Sequence, residues 1–298
     1  MKKFFLPVIL ILCSAIAAAQ ATDSTKILIV IAHPDDETGF AATVYKVAKE
    51  KHGIVDLVVI TNGEAGFKYS TLSETYYGLE LTNENIGREY LPRIRKKELM
   101  NAGNIIGIRD FYFLDQKDAH YGLDEREPLD TAWDIPFVQR RLTQIMTKTK
   151  YDFVFCLLPD PGTHAGHKAA TILALRTSAQ FPLNKRPIVL GVSVSEKTDS
   201  LKTFRQYNGY KETAMLYDTA SFYFDRSVSF GYNKQLSYKV IVNWEIAEHK
   251  SQGTMQLYMN RGDYEKFWFF KQNDISKLDK CRRFFESLRS VPYPPKTY

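Results

Sequence analysis

A short apolar segment followed at once by polar residues constrains this chain more than any other feature. Residues 26–32 are Lys-Ile-Leu-Ile-Val-Ile-Ala, and His33-Pro34-Asp35-Asp36-Glu37 follow directly. A short apolar run rich in β-branched side chains predicts a strand buried on both faces of a parallel sheet. Ligands of open α/β sheets bind outside the carboxyl ends of the strands, so we expect these polar residues to line a site.

The polar cluster allows two interpretations. In one, Asp35 or Asp36 caps the helix that follows. In the other, His33 and Asp36 bind one divalent ion and leave Asp35 free beside it, which is the arrangement that a metal-activated water needs. Pro34 keeps His33 extended, so the cluster leaves the sheet on a turn.

Further apolar runs alternate with helical patterns along the chain. Strands are predicted at 55–60, 111–114, 152–158 and 188–194, and helices at 38–50, 92–104, 136–150 and from the 164–167 region to about 179. This alternation predicts an α/β fold with a mostly parallel sheet and helices on both faces. Beyond 195 we expect extra α+β elements packed on the sheet: strand segments at 222–224 and 238–242, a helix at 244–256, and an aromatic tail at 267–270 and 284–285.

The first twenty residues are predicted to be a cleaved secretory signal peptide. Met1–Lys3 is basic, Phe4–Ile16 is apolar, and Ala17–Ala19 offers small residues for cleavage. Cys13 raises the question of a lipoprotein, but Leu12 precedes it where a small residue is expected. We therefore expect a secreted or periplasmic protein with one domain over 24–298 and no permanent membrane span.

Composition argues against several function classes. The formal charge of +6 is modest and its basic residues are scattered, so no nucleic-acid partner is expected. No dinucleotide glycine fingerprint follows the first strand, which argues against a nicotinamide enzyme. After signal cleavage only Cys156 and Cys281 remain, and Cys156 lies in an apolar run where we expect a buried thiol.

Two more histidines follow the fourth predicted strand. His164 and His167 begin a helix at the same sheet edge as His33. One of them, with His33 and Asp36, would complete the His-His-carboxylate ligand set of a catalytic zinc. Asp35 would then act as general base, and the other histidine would stabilise the oxyanion and protonate the leaving amine. The alternative for the pair is a helix cap plus a core histidine.

Five motifs in one order resemble those of the PIG-L/LmbE-like zinc-dependent de-N-acetylases. They are Ala32–Glu37, Thr61–Gly66, Arg95-x-x-Glu98-Leu99, His164-Ala165-Gly166-His167 and His249-Lys250-Ser251-Gln252. The resemblance spans roughly residues 26 to 270. It implies a Rossmann-like sheet, one Zn²⁺ per chain, and hydrolysis of an N-acyl group, usually the N-acetyl group of a glucosamine-type sugar.

The resemblance also implies roles, position by position. The zinc ligands would be His33, Asp36 and His167, the general base Asp35, and the oxyanion-stabilising group His164, which would also aid departure of the amine. We expect Glu37 behind the ligands or at the helix N-terminus rather than in catalysis. On the substrate side we expect Glu64, Arg95, Asp118 and His249, with packing or capping of the helix as the alternative for His249. Many relatives have His-Pro-Asp-His where this chain has His164-Ala165-Gly166-His167, so local support for His167 must come from elsewhere.

The substrate is left open between three possibilities. The first is an N-acetylated amino sugar or glycoconjugate, the second a non-sugar amide, and the third binding of a carbohydrate without turnover. Asp35 argues against the third, because binding a sugar needs no base. Residues 67–91 lack periodicity and predict an active-site flap or substrate loop, and the rim aromatics Tyr69, Tyr76, Tyr77 and Trp133 are candidates for stacking on sugar faces.

Overall fold

The computed structural model describes residues 24–290, which are built around a seven-stranded sheet in the order β3-β2-β1-β4-β5-β9-β6. Its strands are β1 (Lys26–Ile31), β2 (Ile54–Thr61), β3 (Phe111–Gln116), β4 (Phe153–Leu157), β5 (Ile188–Ser195), β6 (Phe222–Asp225) and β9 (Tyr264–Phe269). A separate hairpin pairs β7 (Ser229–Phe230) with β8 (Leu236–Ser237). The strands β1 to β5 are parallel, and β9 runs antiparallel to both β5 and β6.

Helices cover both faces of this sheet. They are α1 (Ala41–Tyr45), α2 (Glu74–Tyr77), α3 (Glu84–Ile106), α4 (Ile135–Thr149), α5 (Ala165–Ala179), α6 (Tyr238–Glu248) and α7 (Leu278–Leu288). A 3₁₀ turn, Asp36–Phe40, precedes α1, and a π turn, Lys46–Glu50, follows it. The predicted α/β fold with a mostly parallel sheet is confirmed.

The first strand is buried on both faces, as its apolar sequence predicts. Ile27, Ile29 and Ile31 pack in a core with residues of α1, α3, α6 and α7. Leu28 and Val30 point the opposite way, into a core with residues of α4 and α5. All five side chains are at most 1% exposed, so β1 is held in place from both sides.

The strand order explains where a site can form. The chain runs outward from β1 through β2 to β3, then returns to add β4 and β5 on the other side of β1. The loops after β1 and β4 therefore diverge to opposite faces and leave a crevice between them at the carboxyl edge. His33 follows β1, and His164 and His167 follow β4.

Several predicted boundaries are wrong. The helix expected from Pro92 begins instead at Glu84 and holds Pro92 in its interior, because the Asn83 side chain caps it by accepting hydrogen bonds from the amides of Asn85 and Ile86. Residues 67–91 are therefore not one irregular loop, since short 3₁₀ and α turns and the first turns of α3 fill most of the segment.

The C-terminal part also differs from expectation. Residues 238–242, predicted as a strand, are the start of α6, and the helix expected at 244–256 ends at Glu248. The aromatic segment around Phe267–Phe269 does not merely pack on the sheet. It forms β9, which lies inside the sheet between β5 and β6.

Two further sequence predictions concern cysteines and membranes. Cys156 and Cys281 are both buried and unbridged, which confirms Cys156 as a core thiol. Within residues 24–290, no helix is long and apolar enough to cross a bilayer. The predicted signal peptide, residues 1–20, lies outside the described residues.

Candidate active site

Asp36 turns back toward β1 rather than capping the helix that follows. Its Oδ2 accepts hydrogen bonds from the amides of Ala32 at 3.0 Å and His33 at 2.9 Å. Asp35 is at the N-cap position but makes no side-chain cap bond. The capping interpretation is therefore wrong, and the two amides direct Asp36 Oδ1 toward His167, whose Nε2 lies 2.8 Å away.

His33 lies between two carboxylates. Its Nδ1 is 3.6 Å from Asp36 Oδ2, and its Nε2 is 3.7 Å from Asp118 Oδ1. Burial by itself would lower the pKa of His33, but Asp118 and Asp36 outweigh burial and raise the pKa to about 10. The site therefore favours positive charge at the position of the His33 ring.

Gly166 lets the loop after β4 approach His33 closely. A Cβ at this position would lie 3.0 Å from Cε1 of His33, closer than side chains normally pack. Because Gly166 has no side chain that could support His167, that support comes from Thr163. The Thr163 Oγ1 lies 2.8 Å from His167 Nδ1, which leaves Nε2 for Asp36 and the crevice.

His164 caps α5 and also faces the crevice. Its Nδ1 accepts a hydrogen bond from the Gly166 amide at 3.1 Å, so the proton of the neutral ring is on Nε2. Its ring centroid lies 4.6 Å from that of His33. Burial, reinforced by His33 and His167, lowers the pKa of His164 to about 3, and the ring is a neutral donor.

Asp35 is held at both of its ends. Its Oδ2 accepts from Arg95 Nη2 at 2.8 Å, and its amide donates to Glu37 Oε2 at 2.9 Å. Burial raises the pKa of Asp35 to about 6, although Arg95 acts in the opposite direction. Asp35 therefore sits beside Asp36 with its own, separate partners.

Arg95 joins two of the motif loops. This side chain is 3% exposed and also donates to the carbonyl oxygens of Gly63 and Pro34. Gly63 has φ 68°, and a Cβ there would overlap the Arg95 guanidinium, so this turn requires glycine. Arg95 thereby ties the loop after β2 to the loop after β1.

Only some of the predicted substrate-side residues line the cavity. Asp118 lines the crevice, and its amide donates to Glu64 Oε1 at 3.1 Å. Glu64 itself lies behind Asp118 and is absent from the crevice wall, as is His249, which is fully buried and contacts Glu37. Two of the four residues, Arg95 and Asp118, therefore reach the cavity.

The crevice encloses a cavity of about 330 Å³ around these groups. Of the four predicted rim aromatics, Tyr69 lines it, whereas Tyr76, Tyr77 and Trp133 do not. The residues that sequence reasoning did not place in the wall include Tyr121, Gln252 and Tyr258. Gln252 ends the His249–Gln252 motif and was identifiable on that ground, whereas the two tyrosines carry no sequence signal.

A second cavity, of about 460 Å³, shares Asp35, Asp36 and His167 with the first.

The donor set at the crevice fits a divalent metal ion. A tetrahedral zinc with ligands about 2.0–2.1 Å away separates its ligand atoms by roughly 3.3 Å. Asp36 Oδ1 lies 2.8 Å from His167 Nε2, and Asp36 Oδ2, which also accepts from two amides, lies 3.6 Å from His33 Nδ1. A nitrogen of His164 is also within 4.8 Å of those of the other two histidines. The three histidines therefore form a cluster beside Asp36 that could hold a metal ion, and within it Nδ1 of His164 already accepts the cap hydrogen bond.

Sequence comparison places the motifs in the context of known proteins. A family model described as PIG-L: GlcNAc-PI de-N-acetylase matches residues 28–178. A probable N-acetyl-α-D-glucosaminyl L-malate deacetylase 2 from Bacillus cereus is 24% identical over 175 residues, which make up 59% of this chain and 70% of the relative.

Two solved structures share the fold. The 4-carboxy-2-hydroxymuconate hydratase GalB from Pseudomonas putida KT2440 has a TM-score of 0.52 and 14% identity, with 82% of this chain and 95% of that chain covered. A deacetylase of teicoplanin biosynthesis has a TM-score of 0.50 and 16% identity, with 82% and 97% covered. At such identities the likeness concerns the fold alone. One of the two proteins is a hydratase and the other a deacetylase, so the fold does not determine the reaction.

Proposed function

The chain belongs to the PIG-L family of de-N-acetylases, and on this premise we propose that it is a zinc-dependent hydrolase that removes an N-acetyl group from an amino sugar or glycoconjugate. The observation that carries the proposal is the convergence of His33, Asp36 and His167 beside a carboxylate that is not a ligand, Asp35. Metal binding alone needs only the first three residues. Hydrolysis of an amide also needs a general base, and Asp35, which has separate partners, can supply it.

The roles follow from the contacts of each residue. His33, Asp36 and His167 would hold the zinc ion, which when bound lowers the pKa of water to about 7 and polarises a carbonyl. Asp35 takes the proton of the attacking water. His164 donates from Nε2 to the carbonyl oxygen as negative charge develops there, because its Nδ1 is occupied by the Gly166 amide.

The leaving amine must gain a proton before the bond to the acyl carbon breaks. The motif resemblance implies His164 for this step, but the pKa of His164 is lowered and its ring is neutral. We therefore give the step to the proton that Asp35 has accepted, and its transfer returns the carboxylate to its starting state. Arg95 keeps Asp35 in place through the bond to Oδ2, so the same side chain can act in both directions. His164 then remains a donor to the acetate oxygen.

The cavity wall is suited to a sugar. Asp118 and Gln252 offer polar groups for hydroxyls, and Tyr69, Tyr121 and Tyr258 offer aromatic surface for the apolar faces of a ring. The B. cereus relative is named for an N-acetylglucosaminyl substrate, which supports the same substrate class here.

The second cavity favours one alternative, a larger or non-sugar amide. Its walls include the apolar side chains of Leu158, Val192 and Ile246, and it opens onto Asp36 and His167 from the side of β5. A substrate with apolar groups on both sides of the amide would use both cavities.

A substrate panel separates the two candidates. Zinc-loaded enzyme is supplied with N-acetylglucosamine, a methyl glycoside of it, and N-acetylated amino acid amides, and the released amine is measured. We expect the two sugars to be the faster substrates. Faster release from the amino acid amides would assign the enzyme to non-sugar amides, and no release from any of them would contradict deacetylation. The Asp35→Asn variant controls for contaminating activity.

We further propose that the protein is exported and that its signal peptide is removed near Ala19. The support for this is the sequence of residues 1–20. N-terminal sequencing of protein recovered from a secreting host tests it: a first residue between 18 and 22 is expected, and an intact Met1 would contradict cleavage.

A further inference from the structure

Asp35 holds an unusual backbone conformation. Its φ is 122° and its ψ is −18°, in a region that residues with a side chain rarely adopt. Such a conformation persists only when surrounding groups hold it. The contacts that hold the Asp35 backbone therefore also determine where its carboxylate lies.

Glu37 supplies one of these contacts. Its Oε2 accepts a hydrogen bond from the Asp35 amide at 2.9 Å, and the side chain is 0% exposed. Its other oxygen, Oε1, lies 2.6 Å from Nε2 of His249, a residue 212 positions away in the chain. Glu37 thus connects the backbone of Asp35 to His249.

Glu245 completes a buried triad with Glu37 and His249. It lies one turn before His249, and its Oε1 is 3.6 Å from His249 Nε2. All three side chains are fully buried. Three buried atoms of the triad have no hydrogen-bond partner among the described residues: both carboxyl oxygens of Glu245 and Nδ1 of His249. Buried polar groups are normally paired, so an incompletely paired triad needs an explanation beyond packing.

The charges of the triad are consistent with a donor role for His249. Burial alone would lower the pKa of His249, but Glu37 and Glu245 outweigh burial and raise the pKa well above its usual value. Burial raises the pKa of Glu245 well above its usual value as well. The 2.6 Å contact then is a hydrogen bond in which His249 Nε2 donates to Glu37 Oε1.

We propose that His249 is a positioning residue for Asp35, because its hydrogen bond to Glu37 fixes the carboxyl group that holds the Asp35 amide. The proposal rests on the proposed function, in which Asp35 is the general base. Arg95 holds the carboxylate of Asp35, and His249 holds its backbone through Glu37. His249 does not line the cavity, so it acts on the reaction without contact to the substrate.

Two substitutions of the same residue separate positioning from packing. His249→Gln keeps an N–H donor near the position of Nε2, whereas His249→Asn places its amide near Nδ1 and leaves Glu37 without that donor. With N-acetylglucosamine as the probe, we expect kcat to fall roughly 10- to 100-fold in His249→Asn, with KM and zinc content unchanged. In His249→Gln we expect kcat to stay within about threefold of the wild type.

A second readout does not depend on turnover. Hydrogen–deuterium exchange of peptides that cover residues 33–38 reports on the Asp35 amide. We expect faster exchange there in His249→Asn and wild-type exchange in His249→Gln. Asp56→Asn is the matched control: Asp56 is a fully buried carboxylate bonded to Arg109 and Tyr151 in the amino-terminal half of β2, remote from the crevice. The Asp56→Asn substitution should lower the free energy of unfolding and leave both kcat and the exchange at residues 33–38 unchanged.

Three results would overturn the positioning role of His249. Unchanged exchange at 33–38 in His249→Asn, or equal losses of kcat in the Asn and Gln variants, would make His249 a packing residue. Two zinc ions in the wild type and one in His249→Asn would make the triad a metal site. If the wild type releases no acetate, the proposed function fails, and the exchange result alone decides whether His249 holds Asp35.

Discussion

The hydroxyl group of Thr163 should control metal affinity through His167. Thr163 Oγ1 lies 2.8 Å from His167 Nδ1, and the opposite nitrogen, Nε2, lies 2.8 Å from Asp36 Oδ1. A neutral imidazole that binds a metal through Nε2 carries its proton on Nδ1 and donates it to Thr163. Thr163→Val removes the acceptor and keeps the shape of the side chain.

The expected loss is about tenfold in zinc affinity. A hydrogen bond of this kind contributes about 0.5–1.5 kcal/mol, and removal of a partner behind a metal-bound histidine weakens affinity roughly 10- to 100-fold. The His167 side chain is 20% exposed, so water can replace part of the lost bond. We therefore expect the lower end of the 10- to 100-fold range, a tenfold loss of zinc affinity, which corresponds to about 1.4 kcal/mol of binding free energy.

Competition with a chromophoric chelator at fixed pH measures this affinity. Thr163→Ser is the matched control, because it keeps the hydroxyl group and should bind zinc within about twofold of the wild type. Wild-type affinity in the Val variant would refute the support of His167 by Thr163. A loss in the Ser variant equal to that in the Val variant would show that the hydroxyl group, which Ser keeps, does not determine the zinc affinity.

Three further substitutions test separate parts of the molecule. Asp35→Asn should reduce acetate release by about 10²- to 10⁴-fold while zinc stays bound; near wild-type release would remove Asp35 from the mechanism. Asp36→Asn should abolish zinc retention on equilibrium dialysis, since it replaces a charged ligand with an amide; undiminished retention would show that the ligand set is a different one. Asn83→Ala removes the α3 cap and should lower the free energy of unfolding by about 1 kcal/mol in urea titration with kcat unchanged; equal stability would mean that the cap contributes nothing.

The parallel half of the fold was predictable because its signals are local. Strands β1, β2 and β4 are short apolar runs whose side chains are almost all buried, and β1 and β4 are each followed by a short polar segment that leads into a helix. The residues that converge at the crevice lie directly after β1 and β4, so strand order alone brings His33 and His167 to one edge.

The remaining features depend on partners that are remote in sequence. Pro92 is usually a sign of a helix start, but the cap at Asn83 begins α3 two turns earlier. Strand β9 is defined by its antiparallel pairing with β5, some 75 residues before it along the chain. His249 contacts Glu37 across 212 positions, so a motif pattern could mark it but no local rule could assign its contact.

The most direct test of the central claim combines metal content with acetate release on the same preparation of purified mature protein. We expect about one zinc ion per chain, and acetate release from N-acetylglucosamine-type compounds that stops on chelation and returns when zinc is restored. A protein that binds no divalent metal even when it is supplied would contradict the site formed by His33, Asp36 and His167.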